Sequence, residues 1–232
     1  MESPRLWSRA AGFFYLITIV AGVFAELFVR GKVIVPDNAG VTTANILAHE
    51  SLYRAGLCAD LVMLAAYVAV TVLLYLLFKP VSRSISLAAA CFSLVGIAVL
   101  AVNSLNHIAP LILLGQTHPV ALVAEERQGL IQFFLRLHGR GYNISSVFFG
   151  SYCLMIGCLA FRSRFLPRFV GVLMCVGGAA YLLMSFLVLL APAAATRLPD
   201  MTVLGGIAEL VFAIWLLVPG VNVAKWGLRE QE

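Results

Sequence analysis

The chain has 232 residues, of which 62% are hydrophobic and only 12% are charged, and its mean hydropathy is +0.98. This composition lacks the charged surface of a soluble domain and is typical of a membrane protein. The net charge of +5 does not indicate nucleic-acid binding, because the lysines and arginines lie between apolar segments and form no basic patch. We therefore expect a multipass membrane protein with the lipid bilayer as its partner and no nucleic-acid partner.

Six apolar segments are long enough to cross a hydrocarbon layer of about 30 Å at about 1.5 Å per residue. Their predicted bounds are residues 7–28, 52–78, 85–107, 139–161, 169–190 and 201–218. The sequence therefore predicts an all-α polytopic bundle that forms a single integral membrane domain over residues 1–232. A cleaved signal peptide is the alternative for the first segment, but the equally apolar remainder of the chain favours a retained helix.

Two connectors and one span have distinctive patterns. Residues 36–38 predict a turn, and residues 42–49 predict a short surface helix. Gln116-Thr117-His118-Pro119 predicts a second turn, which is followed by an amphipathic segment over residues 128–137. We expect that segment to be a separate surface helix or the extramembrane start of the fourth span. In the fifth span, the small residues around Gly171 and Gly178 predict close contact with another helix.

The distribution of basic residues predicts that both termini lie in the cytoplasm. With this orientation, the basic residues closest to the helix ends fall on the inner side. They are Arg5, Arg9, Lys79, Arg83, Arg162, Arg164, Arg168, Lys225 and Arg229. The remaining basic residues, Arg30 and Arg54 among them, belong to the longer outer connectors.

Polar residues within the predicted spans are concentrated in the outer halves. They are Glu26, Asp60, Asn103, Asn106, His107, His138, Arg140, Asn143 and Glu209. A carboxylate at the bilayer centre costs about 2.5–3.5 kcal/mol on insertion scales. We therefore expect Asp60 and Glu209 to face the bundle interior, where Arg54, Arg140 and the two histidines are the candidate partners. The spacing of Tyr53, Asp60 and Tyr67 places all three on one face of the second helix.

Two interpretations of this polar set are open. The first is a structural ion-pair cluster, as in a structural or sensory membrane subunit. The second is an outward-facing pocket that binds or carries a small polar or anionic molecule or a lipid head group, with Arg140 as the anion-binding residue. The clustering on one side favours the pocket, because packing alone does not require it.

A metal-assisted intramembrane hydrolase is a third hypothesis, with Asp60, His107, His138 and Glu209 as its residues. The sequence contains no HExxH, GxSxG or P-loop motif. Its five cysteines lie within apolar segments without CxxC spacing, which is typical of packing residues. We therefore expect no metal and no cofactor, and the sequence favours a binding protein over an enzyme.

Several short motifs resemble those of a known membrane-protein family. They are Arg9-Ala10-Ala11-Gly12, Ala21-Gly22-Val23-Phe24-Ala25-Glu26, Ala59-Asp60-Leu61, Val102-Asn103-Ser104-Leu105-Asn106 and Leu137-His138-Gly139-Arg140-Gly141. In these motifs the chain resembles the bacterial family called domain of unknown function 4386, over residues 9–218. The resemblance implies a helical bundle in the bacterial inner membrane, and it implies no activity, cofactor or catalytic residue.

Overall fold

The computed structural model describes residues 3–115 and 122–231, and the regular elements in these ranges are all helices. They are α1 (Pro4–Val23), a π-helical segment (Phe24–Arg30), α2 (Gly31–Val33), α3 (Ala39–Ala48), α4 (Glu50–Phe78), α5 (Arg83–Leu114), α6 (Ala124–Ser163), α7 (Arg168–Leu190), α8 (Pro192–Ala195), α9 (Thr202–Leu217) and α10 (Val223–Gln231). The turn predicted at Gln116-Thr117-His118-Pro119 lies outside the described residues. The surface helix predicted over residues 42–49 is confirmed as α3.

Six of the helices form a closed ring. Around the ring, α1 packs on α4, α4 on α5, α5 on α6, α6 on α7, α7 on α9, and α9 on α1 again. Neighbours in the ring run in opposite directions, so the chain traverses the bundle six times. The end that holds Arg30, His107 and His138 is called the polar end here. The opposite end, which holds Lys79, Arg162 and Arg168, is called the arginine end.

Large aromatic and aliphatic side chains fill the interior of the ring, and its outside also carries many apolar side chains. Tyr15 and Phe212 are fully buried in the interior. On the outside, Leu27, Val102 and Leu105 are each about two-thirds exposed. An outer surface with many such apolar side chains is suited to contact with lipid tails rather than water.

Two pairs of glycines set the closest approach between α6 and α7. A Cβ added to Gly178 would lie 2.7 Å from the carbonyl oxygen of Gly150, and one added to Gly157 would lie 2.7 Å from that of Gly171. The backbones can approach this closely only because none of the four residues has a side chain. The predicted close contact through Gly171 and Gly178 is therefore confirmed, and α6 is the partner.

Five helices are long and apolar enough to cross a membrane, which confirms the predicted helical bundle. They are Pro4–Val33, Glu50–Phe78, Arg83–Leu114, Ala124–Ser163 and Arg168–Leu190. The sixth predicted span corresponds to α9, which has only 16 residues. The sixth crossing and the orientation therefore stay predictions.

The predicted ends of the first and third spans are wrong. The first was expected to end at residue 28, but its helix continues to Val33. The third span was expected to end at residue 107, but α5 continues through Pro110 to Leu114. Proline removes one backbone donor, and a helix packed on both sides can tolerate that loss. Of the two alternatives for the amphipathic segment, the start of the fourth span agrees with the structure and a separate helix does not, because α6 is one helix of 40 residues. At about 1.5 Å per residue, α6 is about 60 Å long, which is longer than a hydrocarbon layer of about 30 Å requires.

Candidate functional site

Arg30 lies at the centre of a buried ionic cluster at the polar end. Its Nη1 donates to Asp60 Oδ2 at 2.6 Å, and its Nη2 donates to Asp60 Oδ1 at 3.3 Å. Its Nε donates to Glu26 Oε2 at 2.7 Å. Arg30 and Asp60 are buried, whereas Glu26 is exposed. This fork geometry is the strong form of an arginine–carboxylate pair, and it joins the end of the first helix to α4. We call Glu26, Arg30, Asp60 and His107 the Arg30 cluster.

The local backbone around Arg30 is unusual. The residue ends the π-helical segment Phe24–Arg30, in which the helix is wider than an α-helix. Such π-helical turns are rare and are frequent at functional sites. Because the helix continues to Val33, Arg30 remains on a helix that faces the interior and does not lie in a connector.

His107 completes the Arg30 cluster. Its Nδ1 lies 3.2 Å from Asp60 Oδ2, and since a carboxylate oxygen only accepts, Nδ1 carries the proton. The Tyr53 hydroxyl donates to the backbone carbonyl of His107 at 2.8 Å, and the two rings meet edge to face at 4.6 Å. Tyr53, Asp60 and Tyr67 are all buried, which confirms that this face of α4 points into the bundle.

His138 is held by a reciprocal pair of hydrogen bonds with Asn103. Asn103 Nδ2 donates to the backbone carbonyl of His138 at 2.8 Å, and His138 Nδ1 lies 3.3 Å from the backbone carbonyl of Asn103. A carbonyl oxygen only accepts, so His138 Nδ1 also carries the proton. In the neutral ring, Nε2 is then an acceptor. Within the part of the chain that the structure describes, neither His138 Nε2 nor His107 Nε2 has a hydrogen-bond partner.

Glu209 belongs to a separate cluster of phenols. Its Oε1 accepts from the hydroxyls of Tyr15 at 2.9 Å and Tyr67 at 2.8 Å, and its Oε2 accepts from Tyr181 at 3.0 Å. Tyr67 lies seven residues after Asp60, so this phenol cluster is about 10 Å deeper in the bundle than the Arg30 cluster. The ring of Tyr181 occupies space that a side chain at residue 205 would fill, and Gly205 leaves it open.

A cavity of about 670 Å³ lies at the polar end, between the end of the first helix, α6, α7 and the start of α9. Its polar lining includes Glu26, Arg30, His138, Asn143, Tyr181 and Asp200. Tyr181 contacts both the cavity and Glu209, so it joins the cavity to the phenol cluster. The cavity thus extends from the polar end towards the middle of the bundle.

Most of the polar residues singled out in the sequence lie together at the polar end. Glu26, Asp60 and His107 belong to the Arg30 cluster, and Asn103, Asn106 and His138 form a second hydrogen-bonded group, in which Asn106 Nδ2 donates to Asn103 Oδ1 at 3.0 Å. The two groups are neighbours, with the ring centroids of His107 and His138 5.1 Å apart. Asn143 lines the cavity and donates to the Gly139 carbonyl at 3.0 Å. Glu209 lies apart, in the phenol cluster.

The expected cationic partners of the buried acids are wrong in two cases. Arg54 pairs with Glu50 at 2.8 Å on the surface. Arg140 is exposed, donates to the Val188 carbonyl at 3.3 Å, and does not belong to the described cavity lining. Both arginine side chains are long enough to place their guanidinium groups at the surface, so neither needs a buried carboxylate as a partner. Arg30 is the partner of Asp60. The four-residue spacing from Glu26 could have indicated the pair of Arg30 with Glu26, but not the pair with Asp60.

The residues of the hydrolase hypothesis are not assembled into one site. Asp60 and His107 are in contact, but Glu209 is bonded to phenols deeper in the bundle. Ser104, Ser145, Ser146 and Ser151 donate to backbone carbonyls and not to a histidine. Among the described residues, no group of three or more His, Cys, Asp or Glu side chains is placed to hold a metal ion.

A ring of long apolar helices around buried ionic and phenolic clusters defines a polytopic helical membrane protein. The family model described as "Domain of unknown function (DUF4386)" matches residues 10–220. The chain therefore belongs to this family, which confirms the resemblance found in its motifs. The comparisons with curated proteins and with solved structures gave no match.

Proposed function

We propose that this protein binds or carries a small polar molecule that enters the cavity at the polar end from outside the cytoplasmic membrane of a bacterium. The observation that supports this function is the cavity itself. Glu26, His138 and Tyr181 all line this cavity. Helix packing alone does not require a cavity with polar side chains in its lining. Ligand sites between the helices of a bundle commonly combine an apolar wall with a few placed polar groups.

The proposed orientation puts the arginine end in the cytoplasm, with α9 as a sixth span. At 16 residues, α9 is about 24 Å long, and it closes the ring between α7 and α1. A helix slightly shorter than the hydrocarbon layer is accommodated at modest cost by local thinning of the bilayer. The basic residues of the arginine end, such as Lys79 and Arg168, then follow the positive-inside rule.

A structural or sensory subunit is the second candidate. The observation that favours it is the engagement of Arg30, which uses three of its N–H groups to bond Asp60 and Glu26. Such a pair can fix the arrangement of helices without a ligand. This candidate does not account for the cavity. The binding function requires that water-soluble molecules reach the cavity lining, whereas a structural subunit does not require it.

Cysteine accessibility tests this difference. Ser146 lines the cavity, whereas Ser151 lies on the same helix outside the described lining, and each hydroxyl donates to a backbone carbonyl of α6 at 2.9 Å. We expect a membrane-impermeant methanethiosulfonate reagent, added to intact cells, to modify Ser146→Cys. Ser151→Cys and the wild type, with its five native cysteines, should give only background labelling.

Both variants should be expressed at the wild-type level, since each exchanges one small side chain for another. If Ser146→Cys were as unreactive as Ser151→Cys, the cavity would be closed to the outside and the binding function would be wrong.

A further inference from the structure

The charge of the cavity lining is negative. Among the lining residues that the structure describes, Glu26, Arg30 and Asp200 carry formal charges. The charge of Arg30 is balanced by Asp60, which forms two hydrogen bonds with its guanidinium. Glu26 also accepts a hydrogen bond from Arg30, but one guanidinium balances only one of the two carboxylates, so one negative charge is left over. Asp200 adds another, and among the described residues its carboxylate accepts from the backbone N–H and the hydroxyl of Thr202. Walls that carry one sign of charge concentrate ions of the opposite sign.

The histidine of the lining offers no free N–H group to an anion. His138 is only 9% exposed, and its Nδ1–H is used by the Asn103 carbonyl. Its Nε2 is a buried acceptor that has no donor among the described residues, and the Nε2 of His107 is in the same state. His138 therefore does not favour an anionic ligand over a cationic one.

The aromatic residues of the lining also suit a cation. Tyr142 and Tyr181 both line the cavity, and the face of a phenol ring attracts an ammonium group. An anion in the same place would meet the carboxylates of Glu26 and Asp200. Arg140, the residue that indicated an anionic ligand, lies outside the described lining.

We infer that the cavity takes a small organic ammonium ion that carries N–H donors, with the Glu26 carboxylate balancing its charge and accepting one of its hydrogen bonds. This inference rests on the proposed binding function and assigns the chemical class of the ligand. A primary amine in its protonated form fits the lining, since it has both the charge and the donors.

The experiment first compares two thiol reagents of opposite charge at Ser146→Cys. Rates for the cationic trimethylammonium-ethyl and the anionic sulfonato-ethyl methanethiosulfonate are each divided by the rate at Ala193→Cys, an exposed position at the polar end. We expect the normalised rate of the cationic reagent to be at least about tenfold higher. Equal normalised rates would overturn the inference and leave the proposed function intact. Exclusion of both reagents would overturn the proposed function itself.

The second part measures protection of Ser146→Cys by two probes of equal size, propylammonium and propionate, at constant ionic strength. Propylammonium should slow the modification, and propionate should have no effect. Glu26→Gln should weaken the protection by about tenfold, because a charged hydrogen-bond partner is lost. The matched control is Glu50→Gln, which breaks another Glu–Arg pair with four-residue spacing, located outside the described lining.

With Glu50→Gln added, propylammonium should protect Ser146→Cys as well as it does in the protein that carries Ser146→Cys alone. Protection by propionate, or protection by propylammonium that is unchanged in Glu26→Gln, would show that the ligand class is wrong.

Discussion

Arg30 and Asp60 form a buried ion pair between the first helix and α4, with Arg30 Nη1 2.6 Å from Asp60 Oδ2 and both side chains less than a tenth exposed. Taking both charges out of water is costly, so much of their attraction only offsets the lost solvation. The pair therefore contributes more to the relative placement of the two helices than to net stability. Removing one partner has a different effect, because it leaves a buried charge without compensation.

The first prediction concerns this pair. Asp60→Leu should lower the free energy of unfolding by about 3–5 kcal/mol, since the buried Arg30 would keep its charge with the exposed Glu26 as its remaining carboxylate partner. The double variant Arg30→Met with Asp60→Leu should recover most of that loss, because no buried charge is left. Unfolding of the purified protein in detergent micelles, followed by circular dichroism, measures both.

The control for this pair is Glu50→Gln, which breaks the exposed pair of Glu50 with Arg54. Its cost should be about 0–1 kcal/mol. A double variant that is no more stable than Asp60→Leu alone would show that the pair is a net source of stability.

The sequence allowed the helices to be predicted better than the pairing within the site. Span positions depend on local hydropathy, so five of the predicted segments coincide with helices able to cross a membrane. The interior position of Asp60 was also predictable, because a carboxylate facing lipid is too costly. The partner of Asp60 depends on which helices are neighbours in the ring, and that information is not contained in local hydropathy.

Arg30 shows why the site could not be completed from the sequence. The first span was expected to end at residue 28, which placed Arg30 in a connector. The helix continues through the π-helical segment to Val33 and keeps Arg30 inside. Tyr15 and Tyr181 were not predicted as site residues for a related reason. A tyrosine in an apolar helix resembles an ordinary packing residue until the partner of its hydroxyl is known.

The second prediction concerns the phenol cluster. Tyr67→Phe removes one of the hydroxyls that donate to Glu209 and should cost about 1–3 kcal/mol of unfolding free energy, because a buried acceptor loses a donor. Tyr75→Phe, on the same helix but near the arginine end, should change stability by less than about 0.5 kcal/mol. Equal effects in the two variants would mean that the Glu209 hydrogen bonds do not stabilise the bundle. Chemical denaturation in micelles compares them.

The third prediction concerns the contact between α6 and α7. Gly157→Ala would place a methyl group 2.7 Å from the Gly171 carbonyl oxygen, so the helices must separate, at a cost of about 1–3 kcal/mol. Gly206→Ala meets no atom within 4 Å and should be neutral or slightly stabilising, because alanine favours a helix. Thermal unfolding of both variants provides the measurement. If Gly157→Ala were as stable as Gly206→Ala, the two backbones would be farther apart than described.

The last prediction concerns orientation. Ser84 is exposed beside Arg83 at the arginine end, and Ala193 is exposed in α8 at the polar end. The positive-inside rule places the arginine end in the cytoplasm. A membrane-impermeant maleimide should therefore label Ala193→Cys in intact cells, and it should label Ser84→Cys only after the membrane is permeabilised. The wild type provides the background from its own cysteines. The reverse pattern would place the polar end in the cytoplasm, and the cavity would then take its ligand from inside the cell.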